Sequence, residues 1–390
     1  MESLRQKIFD LHVVDMHNHL DVNPSDESVV AKDFWDIGEY FWVRRHLWSA
    51  GYPAEAEKLP FDERAKEYVK ALQRAENTIW VRALKRGVRE LYGVELGGLE
   101  SVYALNTIIA ERASKPHYGK EIADKIGLEY FVVNGDGRKS FGELAPRAIH
   151  VEGVDAQLAD WSNEILNGGD VKPEVFAFIR SLKEKGVAGI RTTIGRMTGH
   201  TYRKELIKPG MDYDDAQIAV LHYLSEVCGE CNIFIQLFLG VAYDVSDMPG
   251  PYNDGEGVAK LYGLFEKYSC TFSLITSSQA QNIDVINAAN VFSNVQADGL
   301  WWYNLRPSSY KEVFEMRLEE LPSIRSSIVA TDAYVIEWCY IKMNIIKETL
   351  YEFMKDEIER GHIDEEMAVR VASDWLSGTA KELFGGRKCL

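Results

Sequence analysis

The chain has 390 residues, of which 46% are hydrophobic and 27% charged, and its formal net charge is −16. This composition is typical of a globular protein that is long enough to bury a large core. The acidic balance argues against a nucleic-acid partner, which needs an excess of Lys and Arg, and against docking on an anionic membrane. We therefore expect a small-molecule substrate as the partner; a homo-oligomer remains open.

Targeting signals and cysteines both favour a cytoplasmic location. Met1–Asp10 has no apolar central stretch, so we expect no signal peptide. The longest apolar run, Ile233–Tyr243, is too short to span a bilayer. Five cysteines in a chain of this length suit a reducing cytosol better than a disulfide framework. Cys228 and Cys231 have the spacing of a redox motif, but no second pair accompanies them, so we interpret both as ordinary buried cysteines.

Short β-branched or aromatic runs alternate along the chain with segments of helical period. The predicted strands are Leu11–His17, Glu129–Val133, Arg147–Val151, Gly186–Arg191, Cys231–Leu239, Thr271–Ile275, Val291–Gln296 and Ser327–Thr331. Helices are predicted between the later strands, over Val175–Lys185, Asp214–Val227, Gly257–Tyr268, Asn282–Asn290 and Tyr310–Glu319. This alternation implies parallel strands with right-handed crossovers, and eight such units close into a (β/α)₈ TIM-type barrel of the α/β class.

A helical insertion is predicted between the first two strands, at about 33–127. Its clearest helices are Asp33–Ala50, Asp62–Leu72, Asn77–Leu91 and Leu99–Arg112. The insertion would form a lid or substrate wall over the barrel mouth, or it would be a purely structural subdomain. Extra C-terminal helices are predicted over Ala333–Glu359 and from Asp364 through Trp375. No repeat or flexible linker interrupts the chain, so residues 1–390 are predicted to form a single domain.

Two histidines, in the motif His17-Asn18-His19, end the first predicted strand. Residues two apart on a strand face the same side, so both imidazoles would point into the barrel mouth. Two imidazoles and a carboxylate are a common ligand set for zinc and other transition metals. Asp332 follows the last predicted strand, which lies beside the first in a closed barrel, and it supplies the carboxylate. A metal-free polar cluster, with Asp332 as a helix N-cap, is the alternative.

His-x-His on the first strand, with Asp after the last, resembles the pattern of the amidohydrolase superfamily. Further segments are similar to its uronate isomerase branch. These segments are Trp35–Gly51, Asn77–Gly93, Gly299–Asn304, Thr331-Asp332 and Ala380–Gly385. The resemblance implies a distorted barrel, one divalent metal ion and the isomerisation of a ring-opened hexuronate between aldose and ketose.

Several positions depart from the pattern of this branch. Glu39 stands where the branch carries a histidine, whereas the tyrosine that follows carries over as Tyr40. Phe238 replaces a histidine on the fifth strand, and Tyr243 and Tyr334 stand at two positions that the branch gives to arginine. Tyrosine cannot replace arginine as a bidentate carboxylate clamp, because it has one hydroxyl and no charge. We therefore expect weak uronate turnover or none.

A second metal ion is not expected. Arg191, on the fourth predicted strand, stands where related amidohydrolases carry a carboxylated lysine, and arginine cannot be carboxylated. Phe238 stands in place of the fifth-strand histidine, so a further imidazole ligand is also missing. The sequence therefore predicts one divalent ion, with zinc favoured.

The candidate site residues fall into three groups. The predicted metal ligands are His17, His19 and Asp332, and the predicted catalytic residues are Asp332, Tyr40 and Glu39. The predicted substrate contacts are Arg191, His150, Trp302, Tyr243 and Tyr334. Arg196, His200 and Arg203 lie in the loop after the fourth strand and are weaker candidates.

Three functions are compatible with these residues. The favoured one is metal-assisted proton transfer, as in an isomerase, on a small sugar acid or a related hydroxy carboxylate. The second is hydrolysis of an amide, ester or lactone by a mononuclear metal centre. The third is a barrel that binds a ligand without turnover.

Overall fold

The computed structural model describes residues 3–21, 28–133, 141–194, 210–242, 250–251 and 257–384. Within them, seven parallel strands form one curled sheet in the order of the sequence. These strands are β1 (Val13–Asp15), β2 (Leu128–Val133), β3 (Ala148–Gly153), β4 (Gly189–Thr193), β5 (Phe234–Leu239), β8 (Phe272–Thr276) and β9 (Val295–Ala297). A separate antiparallel pair consists of β6 (Val241–Ala242) and β7 (Gly250–Pro251). The predicted α/β architecture with a parallel sheet is confirmed.

The predicted eighth strand, Ser327–Thr331, does not form a regular strand. Isolated hydrogen bonds instead join this segment to both edges of the sheet: Ser327 N donates to Ala297 O at 3.2 Å, and Met16 N donates to Val329 O at 3.0 Å. Thr331 N donates to the Asp15 carboxylate at 2.9 Å, so a side chain takes the place of a strand carbonyl. The segment therefore lies between β9 and β1 without a continuous ladder.

Several predicted strand boundaries differ from the structure, and the first of those described next affects the site. β1 ends at Asp15, so His17 and His19 follow the strand and do not lie on it. The helix before β5 continues to Cys231 and ends at Asn232, whose φ of 51° stops it. The helix before β9 likewise continues to Val291. In the last two cases the apolar run belongs partly to the preceding helix, which periodicity alone does not separate.

Sixteen α-helices surround the sheet in the described residues. Those before β2 are α1 (Leu4–Asp10), α2 (Phe34–Gly38), α3 (Phe41–Ser49), α4 (Phe61–Arg74), α5 (Ile79–Tyr92), α6 (Leu99–Ala113) and α7 (Tyr118–Lys125). Those between the later strands are α8 (Asp155–Leu166), α9 (Lys172–Glu184), α10 (Tyr213–Cys231), α11 (Tyr262–Lys267) and α12 (Asn282–Val291). The C-terminal ones are α13 (Pro307–Glu320), α14 (Ile336–Glu359), α15 (Glu365–Ser373) and α16 (Thr379–Phe384). None of the described helices combines the length and apolar character that crossing a bilayer requires.

The two faces of the sheet pack against different partners. Alternate residues of β4, β5 and β8, such as Ile190 and Leu237, pack in one apolar cluster with α8, α9 and α10. The opposite face, including Val14 and Ile149, packs with Phe384 of α16. Phe234, the first residue of β5, is in the same cluster, so α16 closes the amino-terminal end of the sheet. The carboxyl-terminal end of the sheet is not covered by α16, and a pocket lies there.

Helices α2 to α7 lie between β1 and β2, and their apolar residues join those of α14 in a single core cluster. Trp80 of α5 and Trp338 of α14 make an edge-to-face contact with ring centroids 6.1 Å apart. This continuous core is compatible with the single domain predicted for residues 1–390, which stays a prediction.

The contact between α5 and α14 leaves no room for a side chain at Gly87. A Cβ there would lie 2.3 Å from Cγ1 of the buried Ile341. We expect Gly87→Ala to lower the free energy of unfolding by about 1–3 kcal/mol, because overpacking forces the two helices apart. Gly97→Ala, with no heavy atom within 4 Å of its Cβ, is the matched control. Equal thermal unfolding midpoints for the two variants would show that this contact does not constrain the insertion.

Candidate metal centre

Three side chains from opposite ends of the chain converge at the carboxyl end of the sheet. Nε2 of His17 and Nε2 of His19 each lie 3.2 Å from Oδ1 of Asp332. His17 and Asp332 are buried, whereas the His19 side chain is 26% exposed and faces the pocket. Within the described residues, this is the only group of three histidine, cysteine or carboxylate side chains close enough to share a metal ion.

The protonation states of this cluster fit a divalent metal ion. Burial lowers the pKa of His17 to about 4, so its ring is neutral at pH 7. Burial raises the pKa of the Asp332 carboxyl, but the adjacent imidazoles of His17 and His19 outweigh burial and hold this pKa well below its usual range. Neutral imidazole and ionised carboxylate are the forms that coordinate metals. Despite the short contact with Asp332, neither ring nitrogen of His17 has a hydrogen bond of good geometry within the described residues. A metal ion would supply the missing partner.

Asp332 is held in a conformation that non-glycine residues rarely adopt, with φ at 56°. Such a conformation costs of order 1–3 kcal/mol and persists only where surrounding contacts enforce it. Its amide donates to His17 O at 2.8 Å, and its carbonyl accepts from the Tyr40 hydroxyl at 2.8 Å. Its carboxylate accepts from Trp301 Nε1 at 3.1 Å. These contacts turn the carboxylate towards both histidines.

A pocket of about 230 Å³ opens over these three side chains. Its remaining described walls are Phe41, Arg191, Thr193, Phe238, Trp301, Trp302 and Tyr334. The walls combine one cationic side chain with five aromatic ones. The Tyr334 ring stacks on His19 with the centroids 4.8 Å apart and the planes at 18°. Of the predicted substrate contacts, the structure places Arg191, Trp302 and Tyr334 in this pocket.

Arg191 and Phe238 stand at the two positions where the amidohydrolase pattern would place further metal ligands. The Phe238 ring packs on His17 with centroids 4.5 Å apart, so it closes that side of the cluster. Nε of Arg191 is buried without a hydrogen-bond partner among the described residues. Nη1 of Arg191 lies 3.6 Å from Asp155, whose side chain is 48% exposed. A guanidinium with a spare donor is available to an anionic ligand.

The structure places the predicted catalytic pair, Glu39 and Tyr40, outside the pocket walls. Nε of Arg64 donates to Oε1 of Glu39 at 2.8 Å, Nη2 of Arg64 lies 2.8 Å from Oε2, and the Tyr52 hydroxyl also donates to Glu39. Tyr40 is buried behind Asp332, with its hydroxyl on the Asp332 carbonyl. Glu39 ends α2 and Tyr40 precedes α3, so the turn between these helices sends neighbouring side chains in different directions. Direct proton transfer to a substrate by either residue has no support in this geometry.

His150 also lies outside the pocket walls. β3 continues to Gly153, so His150 is in mid-strand and not at its carboxyl end. Its neighbours Ile149 and Val151 pack in the apolar cluster closed by α16, and alternation turns His150 to the other face, where Nε2 lies 3.0 Å from Glu152. The structure therefore does not bring His150 together with the other predicted substrate contacts, and its role stays a prediction. Tyr243, Arg196, His200 and Arg203 lie outside the described residues.

Sequence reasoning missed Lys342 of α14, which is 1% exposed. Its ammonium donates to the Tyr40 hydroxyl at 2.5 Å and to the Thr331 carbonyl. Burial lowers the pKa of Lys342 to about 8, an effect that the nearby Asp332 charge partly offsets, so the side chain stays cationic at pH 7. The sequence feature that could have identified Lys342 as a buried lysine is its spacing. It lies midway between Trp338 and Ile346 on an apolar helical stripe.

Comparison with known proteins identifies the fold. No family model and no curated protein matches the sequence. A uronate isomerase from Bacillus halodurans C-125 matches 99% of this chain and 96% of its own, with a TM-score of 0.78 and 17% identity. A glucuronate isomerase from Caulobacter crescentus matches 98% of this chain and 93% of its own, with a TM-score of 0.81 and 12% identity. This chain has the uronate isomerase fold. The resemblance inferred from the sequence is thus confirmed for the fold.

A third solved structure has the same overall topology at lower similarity. This protein from Lactobacillus casei ATCC 334, described as a metal-dependent hydrolase, matches 99% of this chain and 98% of its own. The TM-score is 0.62 and the identity 12%. Proteins named for two reaction types therefore share the uronate isomerase fold seen here, and the fold does not choose between the reactions.

The three converging side chains predict the metal content of the pure protein. We expect about one equivalent of divalent metal per chain by elemental analysis, and we expect His17→Ala to lower it at least tenfold, because two ligands cannot replace three. His222→Ala is the matched control, since His222 is also buried but contacts Tyr268 at 3.0 Å. Unchanged metal content in folded His17→Ala would exclude this cluster as the metal centre.

Proposed function

We propose that the protein is a metal-dependent enzyme in which His17, His19 and Asp332 hold one divalent ion, with zinc favoured. The observation that carries this proposal is the pair of 3.2 Å contacts from the two imidazoles to a single Asp332 oxygen at the base of a pocket. When bound, the ion would polarise a substrate carbonyl or increase the acidity of a water molecule.

The pocket walls favour a small anionic substrate. Arg191 offers a charge-assisted hydrogen bond to a carboxylate, while Trp302 and Tyr334 offer aromatic faces to C–H groups and limit the access of water. A sugar acid or a related hydroxy carboxylate combines these two features. We infer that Arg191 binds the carboxylate of this substrate, so that the substrate's carbonyl or hydroxyl end faces the histidines.

Proton transfer between adjacent carbons, as in an isomerase, is the reaction that we propose first. Asp332 is the carboxylate in the described pocket walls and is ionised at pH 7, so it can accept a proton at its carboxylate oxygen. The similarity to proteins named uronate and glucuronate isomerase supports this choice.

Hydrolysis of an ester, lactone or amide is the second candidate. The Tyr40 hydroxyl is engaged by Lys342 and the Asp332 carbonyl, and Glu39 is paired with Arg64, so neither supplies the second acid–base group that an isomerase needs. A hydrolase needs only Asp332 to take a proton from water. The structural likeness to the Lactobacillus casei protein is compatible with this alternative.

A deuterium-exchange assay separates the two reactions. We expect D-glucuronate, D-galacturonate or a smaller hydroxy carboxylate, incubated in D₂O with the metal-loaded protein, to gain deuterium at the carbon next to the carbonyl. NMR detects this exchange even where net conversion is slow. His17→Ala, with its metal centre disrupted, is the control. Hydrolysis of ester or lactone probes without any deuterium incorporation would replace the isomerase proposal by the hydrolase one, and the absence of both activities would contradict the enzyme proposal.

Substitution of Arg191 tests the proposed carboxylate contact. A charge-assisted hydrogen bond contributes roughly 1.5–3 kcal/mol, so we expect Arg191→Gln to weaken the binding of a carboxylate substrate or inhibitor about 10-fold to 150-fold. Metal content should stay unchanged. Arg180→Gln is the control, because Arg180 is exposed and pairs with Glu230 on α10. Equal affinities of Arg191→Gln and the wild type, measured by calorimetry, would exclude Arg191 as the anion contact.

A further inference from the structure

We propose that Lys342 is a positioning residue for the metal centre, which it serves by fixing the backbone of Thr331 and Asp332. This inference rests on the proposed function only in that a metal ion binds at His17, His19 and Asp332. Lys342 itself lies outside the pocket walls, so it contacts neither substrate nor metal.

A chain of two hydrogen bonds leads from Lys342 to Asp332. The Lys342 ammonium donates to the Tyr40 oxygen at 2.5 Å, and the Tyr40 hydroxyl donates onward to the Asp332 carbonyl at 2.8 Å. The ammonium also lies 4.6 Å from the centre of the Tyr40 ring, a cation–π distance. Because the ammonium occupies the lone pair of the tyrosine oxygen, the phenolic proton is left to point at Asp332.

The same ammonium holds the preceding peptide group, through a direct hydrogen bond to the Thr331 carbonyl. The other polar groups of Thr331 are bound by Asp15, which accepts from the amide at 2.9 Å and from the hydroxyl at 2.5 Å. Both carbonyls of the Thr331-Asp332 pair therefore depend on Lys342, one directly and one through Tyr40. These contacts fix the peptides on both sides of the strained Cα of Asp332.

The contacts leave the metal-binding oxygens free. Lys342 reaches backbone carbonyls, whereas the Asp332 carboxylate is approached by Trp301 and the two histidines. Burying an ammonium loses favourable hydration, so a purely apolar side chain would fill this core position at lower cost in free energy. The Lys342 ammonium instead holds the backbone that keeps the Asp332 carboxylate turned towards the imidazoles.

The test compares Lys342→Met with Lys347→Met, a matched control on the same helix. Lys347 is 3% exposed, and its ammonium also donates to backbone carbonyls, those of Phe9, Leu11 and Ile126, remote from the pocket. Loss of a residue that orients metal ligands typically lowers metal affinity about 10-fold to 100-fold. We expect this loss in Lys342→Met and less than a twofold change in Lys347→Met. Affinity is measured by competition with a chromogenic chelator, well below the unfolding temperature of the metal-free protein.

A second pair of variants covers the case in which Lys342→Met does not fold. Tyr40→Phe removes only the hydroxyl between Lys342 and Asp332, and Tyr68→Phe removes an equally buried hydroxyl that donates to Gly38 O at 2.9 Å. We expect weaker metal binding in Tyr40→Phe alone, with similar unfolding temperatures for both variants.

The outcomes distinguish this inference from the proposed function. Metal affinity that is lowered in Lys342→Met and Tyr40→Phe, but not in their controls, supports the positioning role. Wild-type affinity in these two variants overturns it and leaves the metal centre intact. A wild-type protein that binds no metal overturns both the proposed function and this inference.

Discussion

The fold and the site both depend on the contact between the chain after β1 and the segment 327–333. Asp332 N donates to His17 O, and His19 N donates to Ala333 O, each at 2.8 Å. These bonds join residues more than 300 positions apart and close the gap that the seven-stranded sheet leaves between β9 and β1. The same bonds set the spacing of the His17, His19 and Asp332 side chains. The contacts that close the sheet therefore also bring these three side chains together, and a change that loosens one should loosen the other.

This closure also explains why the segment is not a regular strand. A continuous ladder would need the Thr331 amide to pair with a backbone carbonyl, but Asp15 takes this amide and the Thr331 hydroxyl. Asp15 is fully buried, and burial raises the pKa of its carboxyl to about 6, although hydrogen bonds from Thr331 and His17 oppose this rise. The ladder is interrupted where the chain must turn to the left-handed φ of Asp332. Regular pairing is given up at the position where the Asp332 carboxylate is oriented, and strained residues are common at functional sites.

The sequence predicted the parts of the site that depend on local pattern. His17, His19 and Asp332 could be found because a motif and a strand end mark them, and Arg191 because it stands at the end of the fourth predicted strand. The orientation of Glu39 and Tyr40 could not be found, since it is set by a two-residue turn between α2 and α3 and by their partners Arg64 and Lys342, which are distant in sequence. His150 lies away from the pocket walls because β3 ends two residues later than the sequence predicted. The residues that support Asp332 come from an insertion and a late helix whose packing no local pattern encodes.

The chemistry of the pocket depends on what surrounds His17, His19 and Asp332. Phe238 and Trp301 pack against His17, with ring centroids 4.5 and 5.8 Å away, so the buried imidazole has no polar neighbour on those sides. A cation at this point gains more from the Asp332 charge than it would in water, because the surroundings are poorly polarisable. Arg191 and Thr193 lie on the same face of β4, two residues apart, and provide the polar wall. A ligand that contacts both the cluster of His17, His19 and Asp332 and the polar wall must carry its charge at one end and its reactive oxygen at the other. Under the proposed function, this constraint would favour small bifunctional acids over larger neutral molecules for either of the two candidate reactions.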